Sequence, residues 1–153
     1  MSAAVTLAYT FPLPSAEDLL GGKCMLKPMP RSPLDWVFLI RHGLPSGAVD
    51  ALSHKVRITQ AELAGALGIP ERTLARRKRE GLLNSEESAK LVRLARAVER
   101  AEAVFEDFDI ALDWLKSSNA ALAGATPLSL LDTDIGAESV MDTLGRIEQG
   151  VFA

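Results

Sequence analysis

The segment from Thr59 to Leu74, in the middle of the chain, has the pattern of two short helices joined by a tight turn. Leu63 and Leu67 have the spacing of one inward face on the first helix, and Leu74 would fill the angle between the helices. Gly68 supplies the left-handed backbone conformation that a tight turn between helices requires. The segment therefore predicts a helix-turn-helix, whose second helix begins at residue 70 or 71 and enters the major groove of DNA.

The second helix of this motif contains four consecutive cations, residues 76–79. Cations on an exposed helix face can pair with DNA phosphates, and arginine can also form paired hydrogen bonds with guanine. Arg77 is unusual, because such motifs usually bury an apolar side chain three residues after Leu74, so its guanidinium must reach solvent or find a partner. The residues predicted to contact DNA are Gln60, Glu71, Arg72, Thr73, Arg76, Arg77, Lys78 and Arg79.

Charge is distributed unevenly along the chain, whose formal net charge is -3. Residues 1–54 are neutral overall, residues 55–100 carry +5 and residues 101–153 carry -8. A basic middle suits a polyanion, whereas an acidic end suits a different, basic partner. The chain is therefore predicted to bind two macromolecules through separate regions.

Helical periodicity continues beyond the motif and predicts an all-α fold. A long amphipathic helix is expected after Leu83, capped by Asn84 or Ser85. Further helices are expected at about 48–55, 110–116 and 136–149, with a short one from Pro127 through Leu131. No run shows the period-two alternation of a strand. The predicted organisation is an N-terminal segment at 1–45, a helix-turn-helix domain at 46–106 and a C-terminal helical module at 107–153.

The run from Trp36 to Ile40 is too apolar to remain in solvent and needs cover from the rest of the fold or from a second copy. A homodimer or higher oligomer is therefore expected. The run is far too short to cross a bilayer, so no membrane association is predicted. The start of the sequence lacks a secretory signal and Cys24 has no intramolecular disulfide partner, which favours a cytoplasmic protein.

Residues for catalysis or metal binding are not arranged in any familiar pattern. His42 and His54 belong to different elements, with no carboxylate or thiol pattern around them. The clustered aspartates between residues 107 and 134 are typical of solvated helix caps. We therefore predict a binding protein rather than an enzyme, with no catalytic residues, no metal and no cofactor.

Several motifs recur in a known family: Gly43-Leu44-Pro45, Arg72 to Lys78, Arg93-Leu94-Ala95-Arg96, Trp114-Leu115, Thr126-Pro127-Leu128 and Leu144 to Glu148. They resemble the MbcA/ParS/Xre antitoxins, partners of RES-domain toxins. The resemblance runs from about Leu34 to the last residue and includes the unusual Arg77. It implies that the helix-turn-helix is Xre-like and that the C-terminal module binds the toxin.

The resemblance also implies a mechanism. The C-terminal module would occlude the active site of a RES-domain toxin, an enzyme that consumes NAD or transfers ADP-ribose, and operator DNA binding would repress the operon. The residues implied to bind the toxin are Trp114, Asn119, Leu122, Thr126, Pro127, Arg146, Gly150, Val151, Phe152 and Ala153.

Three features of the acidic third leave alternatives open. Residues 151–153 follow the helix-ending Gly150 and could enter the toxin's pocket, or could be a frayed end. Arg146 could pair with an acid on the toxin or with Asp142 one helical turn back. The whole third could instead serve only dimerisation or small-molecule sensing, in which case the protein would be a stand-alone repressor without an enzyme partner.

Overall fold

The computed structural model describes residues 13–150. Within that range the chain forms α-helices and short 3-10 helices and has no strand, so the predicted all-α fold is confirmed. The α-helices are α1 (Ala16–Leu19), α2 (Pro33–His42), α3 (Gly47–Val56), α4 (Gln60–Leu67), α5 (Glu71–Glu80), α6 (Ser85–Phe105), α7 (Phe108–Lys116) and α8 (Asp134–Glu148). The 3-10 helices are Gly22–Cys24, Ala120–Leu122 and Pro127–Leu130.

Side-chain caps explain where the helices begin. Asn84 accepts a hydrogen bond from the backbone N–H of Glu87, and the Glu87 carboxylate accepts one from the N–H of Asn84. This reciprocal capping box starts α6 at Ser85. Asn84, one of the two predicted capping residues, is therefore the cap. Thr126 caps the short helix predicted from Pro127. This segment forms a 3-10 helix that ends at Leu130, one residue before the predicted end at Leu131.

Helix α6 is the centre of the fold. It contacts α1, α2, α4, α7 and α8, and it buries Leu91, Leu94, Ala95 and Val98 completely. These four positions form the apolar stripe of the amphipathic helix expected after Leu83, and Phe105 at its end is half-buried against the same core. Burying each large aliphatic side chain contributes roughly 1.5–3 kcal/mol, so this stripe organises the packing of both halves of the chain.

Helix α2 is only partly covered by the rest of the fold. Trp36, Leu39 and Ile40 pack half-buried against the core, but Leu34 and Phe38 remain 60% and 55% exposed. A groove of about 740 Å³ borders the helix and is lined by apolar side chains that include those of Met25, Met29, Phe38 and Leu39. The predicted need for cover is therefore met on one side of the apolar run and left open on the other.

The loop after α2 depends on a glycine. Gly43 ends the helix with φ of 93°, and a β-carbon at this position would lie 2.3 Å from the carbonyl oxygen of Leu83. This close approach lets the N–H of Leu83 donate to the carbonyl of Leu44 at 2.9 Å. Gly43 therefore ties the segment before the helix-turn-helix to the one after it.

None of the helices within residues 13–150 is both long enough and apolar enough to cross a membrane.

Candidate functional site

Helices α4 and α5 form the predicted helix-turn-helix. Gly68 ends α4 in the left-handed conformation, with φ of 67° and ψ of 33°, and the N–H of Ile69 donates to the carbonyl of Ala64. Leu63, Leu67 and Leu74 are buried in the angle between the helices. The turn that the sequence pattern predicts is therefore the turn that the chain makes.

The exposed face of α5 carries the predicted DNA-contacting side chains. Glu71, Arg72, Arg76 and Arg79 are exposed, whereas Thr73 is half-buried. Arg72 and Arg79 form no ion pair with another described residue, and the contact of Arg76 with Glu80 is long, at 3.9 Å. The guanidinium groups of Arg72 and Arg79, and that of Arg76 with its long contact, are thus available to a polyanion on one side of α5.

Lys78 and Arg77, also predicted to contact DNA, have partners inside the protein. The Lys78 ammonium lies 2.9 Å from Asp50 of α3. The Arg77 Nε donates to Glu87 at 2.8 Å, and another of its nitrogens donates to Glu80 at 3.0 Å. These bonds, that to Glu87 foremost, raise the pKa of the Arg77 guanidinium.

Arg77 therefore resolves its unusual position by finding a partner. Its side chain is 22% exposed, and Glu87 is the same residue that caps α6. The Glu87 carboxylate thus joins the last turns of α5 to the start of α6. A DNA phosphate would have to share a guanidinium that already serves this link. Gln60, the remaining predicted contact, is half-buried at the start of α4.

The predicted toxin-binding residues fall into two groups in the structure. Asn119 organises the loop after α7, since its side chain accepts from Ala121 and its N–H donates to the carbonyl of Ala125. Thr126 caps the following 3-10 helix, and Pro127 is buried. These three residues shape the surface from within.

The other described residues of this set differ in exposure. Trp114 is half-buried and packs at 5.7 Å, centroid to centroid, against the ring of Phe105. Leu122 is half-buried, and Arg146 and Gly150 are exposed. Arg146 forms no ion pair with Asp142 or any other described residue. Val151, Phe152 and Ala153 lie outside the described residues.

Two exposed apolar side chains in the same region were not among the predicted residues. Ile110 on α7 is 51% exposed, and Ile135 in the first turn of α8 is 78% exposed. Each directly follows an aspartate, Asp109 or Asp134, in the first turn of its helix. No sequence signal separates them from buried residues, since Leu19 and Leu63 also follow a first-turn acid and are fully buried.

Besides Glu87, helix α6 contains a second buried acid, which sequence reasoning missed. Glu102 is fully buried, and neither carboxylate oxygen has a hydrogen-bond partner among residues 13–150. Burial raises its pKa to about 8, with Glu99 and Asp18 adding to the increase and Lys55 opposing it. The signal was visible in the sequence, because Glu102 falls four residues after Val98 on the apolar stripe of α6.

Comparison with known proteins places both halves of this architecture. Residues 35–96 match the antitoxin Xre-like helix-turn-helix domain, and residues 100–150 match the antitoxin Xre/MbcA/ParS C-terminal toxin-binding domain. The two matches meet within α6, the helix that contacts both halves.

Relatives of similar length match across most of the chain. Antitoxin Xre of Yersinia enterocolitica is 35% identical over 116 residues, which cover 74% of this chain and 78% of the relative. Antitoxin Xre of Photorhabdus laumondii is 33% identical over 117 residues, or 75% and 79% of the two chains. A Sphingobium protein named Prs ADP-ribosylating antitoxin is 27% identical over 132 residues, or 80% and 83%. The chain therefore belongs to the Xre antitoxin family, with a helix-turn-helix domain followed by a C-terminal toxin-binding domain.

Proposed function

We propose that this antitoxin neutralises a RES-domain toxin, an enzyme that consumes NAD or transfers ADP-ribose, by occluding its active site. We also propose that it binds operator DNA and so represses its own operon. The observation that carries the proposal is the separation of charge between the two matched domains. The basic residues exposed on α5 belong to the first domain, whereas residues 101–153 carry -8.

The DNA-binding part is supported by the geometry of α5. Arg72, Arg76 and Arg79 are exposed on the second helix of a helix-turn-helix, the element that such motifs insert into the major groove. The protein as a whole is acidic, so long-range electrostatics alone would repel DNA. Local contacts from α5 must therefore provide most of the affinity.

The toxin-binding part is supported by charge and by exposed apolar groups. A pocket that binds the pyrophosphate of NAD must be basic, and the acidic C-terminal region complements it. Ile110, Ile135 and Trp114 offer apolar contact on the same module. Apolar anchors surrounded by charge are typical of the central part of a protein interface.

Substitution of Arg76 by alanine is expected to separate the two activities. Loss of a phosphate contact should lower the slope of log affinity against log salt by about one, and loss of a base contact should cost about 1–3 kcal/mol. Operator binding would be titrated at several salt concentrations. Growth would be followed in cells that express the toxic neighbouring reading frame, where Arg76→Ala should still protect as the wild type does.

Arg146→Ala is the matched control for DNA binding, because it removes one exposed cation from α8 instead of α5. Its operator affinity should equal that of the wild type. Unchanged operator affinity and salt slope in a folded Arg76→Ala variant would contradict the assignment of α5 as the DNA-binding helix. Failure of the wild type to restore growth, together with tight operator binding, would favour a stand-alone repressor.

We further propose that the protein is at least a dimer that associates through α2. Leu34 and Phe38 expose an apolar face beside the apolar groove of about 740 Å³. A dimer that binds a palindromic operator also needs its two recognition helices to lie about 34 Å apart. Two copies that cover each other's α2 would remove this apolar face from solvent and would place two copies of α5 in one complex.

The double substitution Leu34→Glu and Phe38→Glu is expected to produce a monomer at micromolar concentration, because buried unpaired charges would oppose association. Light scattering on the free antitoxin measures the mass. Ile110→Glu is the control, since it adds a charge at an apolar position of similar exposure outside α2. A wild-type monomer that binds a palindromic site tightly would contradict the dimer.

A further inference from the structure

Helix α7 carries a small apolar patch on one side. Ile110 is 51% exposed, and Trp114, four residues later on the same face of the helix, is half-buried. The ring of Trp114 lies against that of half-buried Phe105, at 5.7 Å between centroids and tilted by 46°. These three side chains form the α7 patch, in which a supported aromatic ring lies beside an isoleucine that residues 13–150 leave half uncovered.

The contacts that join α7 to the DNA-binding domain use a different flank of the helix. Asp109 forms an ion pair with Arg57 at 2.8 Å, and the Nζ of Lys116 donates to the Arg57 carbonyl at 3.1 Å. Arg57 follows α3 directly and belongs to the Xre-like domain. Each residue of an α-helix turns by roughly 100°, so Ile110 and Trp114 project at least that far around the axis from Asp109 and Lys116. The α7 patch therefore does not hold the two domains together.

The segment that carries the patch is strongly acidic. Glu106, Asp107, Asp109 and Asp113 are all exposed, and residues 101–115 contain no lysine or arginine. Such a surface repels DNA, and it would also repel the identical surface on a second copy of the chain. The partner that suits the patch is therefore a protein with an apolar site and a basic rim.

We propose that the α7 patch is an anchor for the toxin, with Ile110 and Trp114 buried against an apolar part of the toxin's surface. The carboxylates beside the patch would then face cations of the toxin. The proposal rests on the proposed function, in which the partner is a RES-domain toxin with a basic pocket. It names one contact surface within the matched toxin-binding domain, residues 100–150.

The packing of Trp114 favours such a role. Tryptophan is among the residues that contribute most to protein interfaces. A side chain that is already held in place loses less conformational freedom when a partner binds, and the Phe105 ring holds that of Trp114 in the free antitoxin. Ile110 lies one helical turn away and extends the apolar area that a partner can cover.

The test measures toxin binding by Ile110→Glu with calorimetry, using the RES-domain toxin from the neighbouring reading frame. Ile110→Glu should weaken binding about thirtyfold or more, because a charge would have to enter an apolar contact. Ile110→Leu keeps the volume and the apolar character, so its affinity should stay within a few-fold of the wild type. The added negative charge by itself would favour attraction to a basic toxin, so weaker binding reports on the apolar contact.

Leu82→Glu is the matched control for toxin binding. Leu82 is also 51% exposed and receives the same charge, but it lies after α5 in the Xre-like domain. Its toxin affinity should equal that of the wild type. Light scattering and urea unfolding of free Ile110→Glu should also match the wild type, since residues 13–150 leave this position half uncovered.

Wild-type toxin affinity in Ile110→Glu would overturn the anchor and leave the proposed function intact. Equal weakening in Leu82→Glu would overturn it too, because the loss would then follow from charge alone. A lower mass of free Ile110→Glu would identify the patch as a contact between copies, and a large loss of stability would show that the chain itself covers it. Either result also overturns the toxin anchor. A wild-type protein that does not bind the toxin would overturn the proposed function and the inference together.

Discussion

Deletion of Val151 to Ala153 is expected to weaken binding of the RES-domain toxin by at least about thirtyfold and to abolish protection of growth. The deletion removes Phe152, and an aromatic anchor buried in a pocket commonly contributes about 2 kcal/mol or more. These residues follow Gly150, where the left-handed backbone, with φ of 76°, ends α8. We propose that they are the part of the acidic module that enters the toxin's pocket.

Two assays measure this effect: growth in cells that express the toxin, and a pull-down of the complex. The fold and operator binding should be unchanged, because the residues that form the helix-turn-helix lie in α4 and α5. Arg76→Ala is the reciprocal control, since it should lose operator binding and keep protection. Full growth with an undiminished complex would show that residues 151–153 are a frayed end. The toxin would then be held elsewhere, around Trp114 and Asn119.

Substitution of Glu102 by glutamine is expected to remove a large part of the pH dependence of stability. In the unfolded chain this carboxyl titrates near 4.5, whereas in the folded protein its pKa is about 8. Between these values unfolding releases a proton, so stability falls as pH rises. The decrease from this one group is at most about 1.4 kcal/mol for each pH unit.

Glutamine has nearly the same shape as glutamic acid but cannot ionise. The Glu102→Gln variant should therefore match the wild type near pH 5 and be clearly more stable at pH 8, where folding of the wild type must either protonate this carboxyl or bury its charge. Urea unfolding at a series of pH values measures the difference. Glu138→Gln, an exposed substitution on α8, should leave the pH profile unchanged. Parallel profiles for the wild type and Glu102→Gln between pH 5 and 8 would contradict the prediction.

Short-range features of this protein could be predicted from sequence. The helix-turn-helix follows from the spacing of Leu63, Leu67 and Leu74 around Gly68, because helical period and backbone sterics act over a few residues. The start of α6 follows from Asn84 and Glu87, which are three residues apart and bond to each other's backbone. The fold class and the exposed face of α5 rest on the same local rules.

Long-range contacts were decided only by the tertiary structure. Glu148 is 48 residues from Arg100, and no spacing rule connects them. The sequence predicts that Arg77 needs solvent or a partner but does not identify that partner. Glu87 becomes its neighbour only when α5 folds back against the start of α6. An ion pair forms where packing places two charges together, and packing depends on every helix at once.

The partial exposure of α2 and the unpaired burial of Glu102 have the same origin. Sequence alone determined that the Trp36 to Ile40 run is apolar and that Glu102 lies on an apolar stripe. Only the packing around α6 decided that Phe38 stays exposed while Trp36 is half-buried, and that Glu102 has no hydrogen-bond partner in the described part of the chain. Periodicity identifies the face that a helix buries, whereas the neighbouring helices determine how completely that face is covered and which polar groups can reach it.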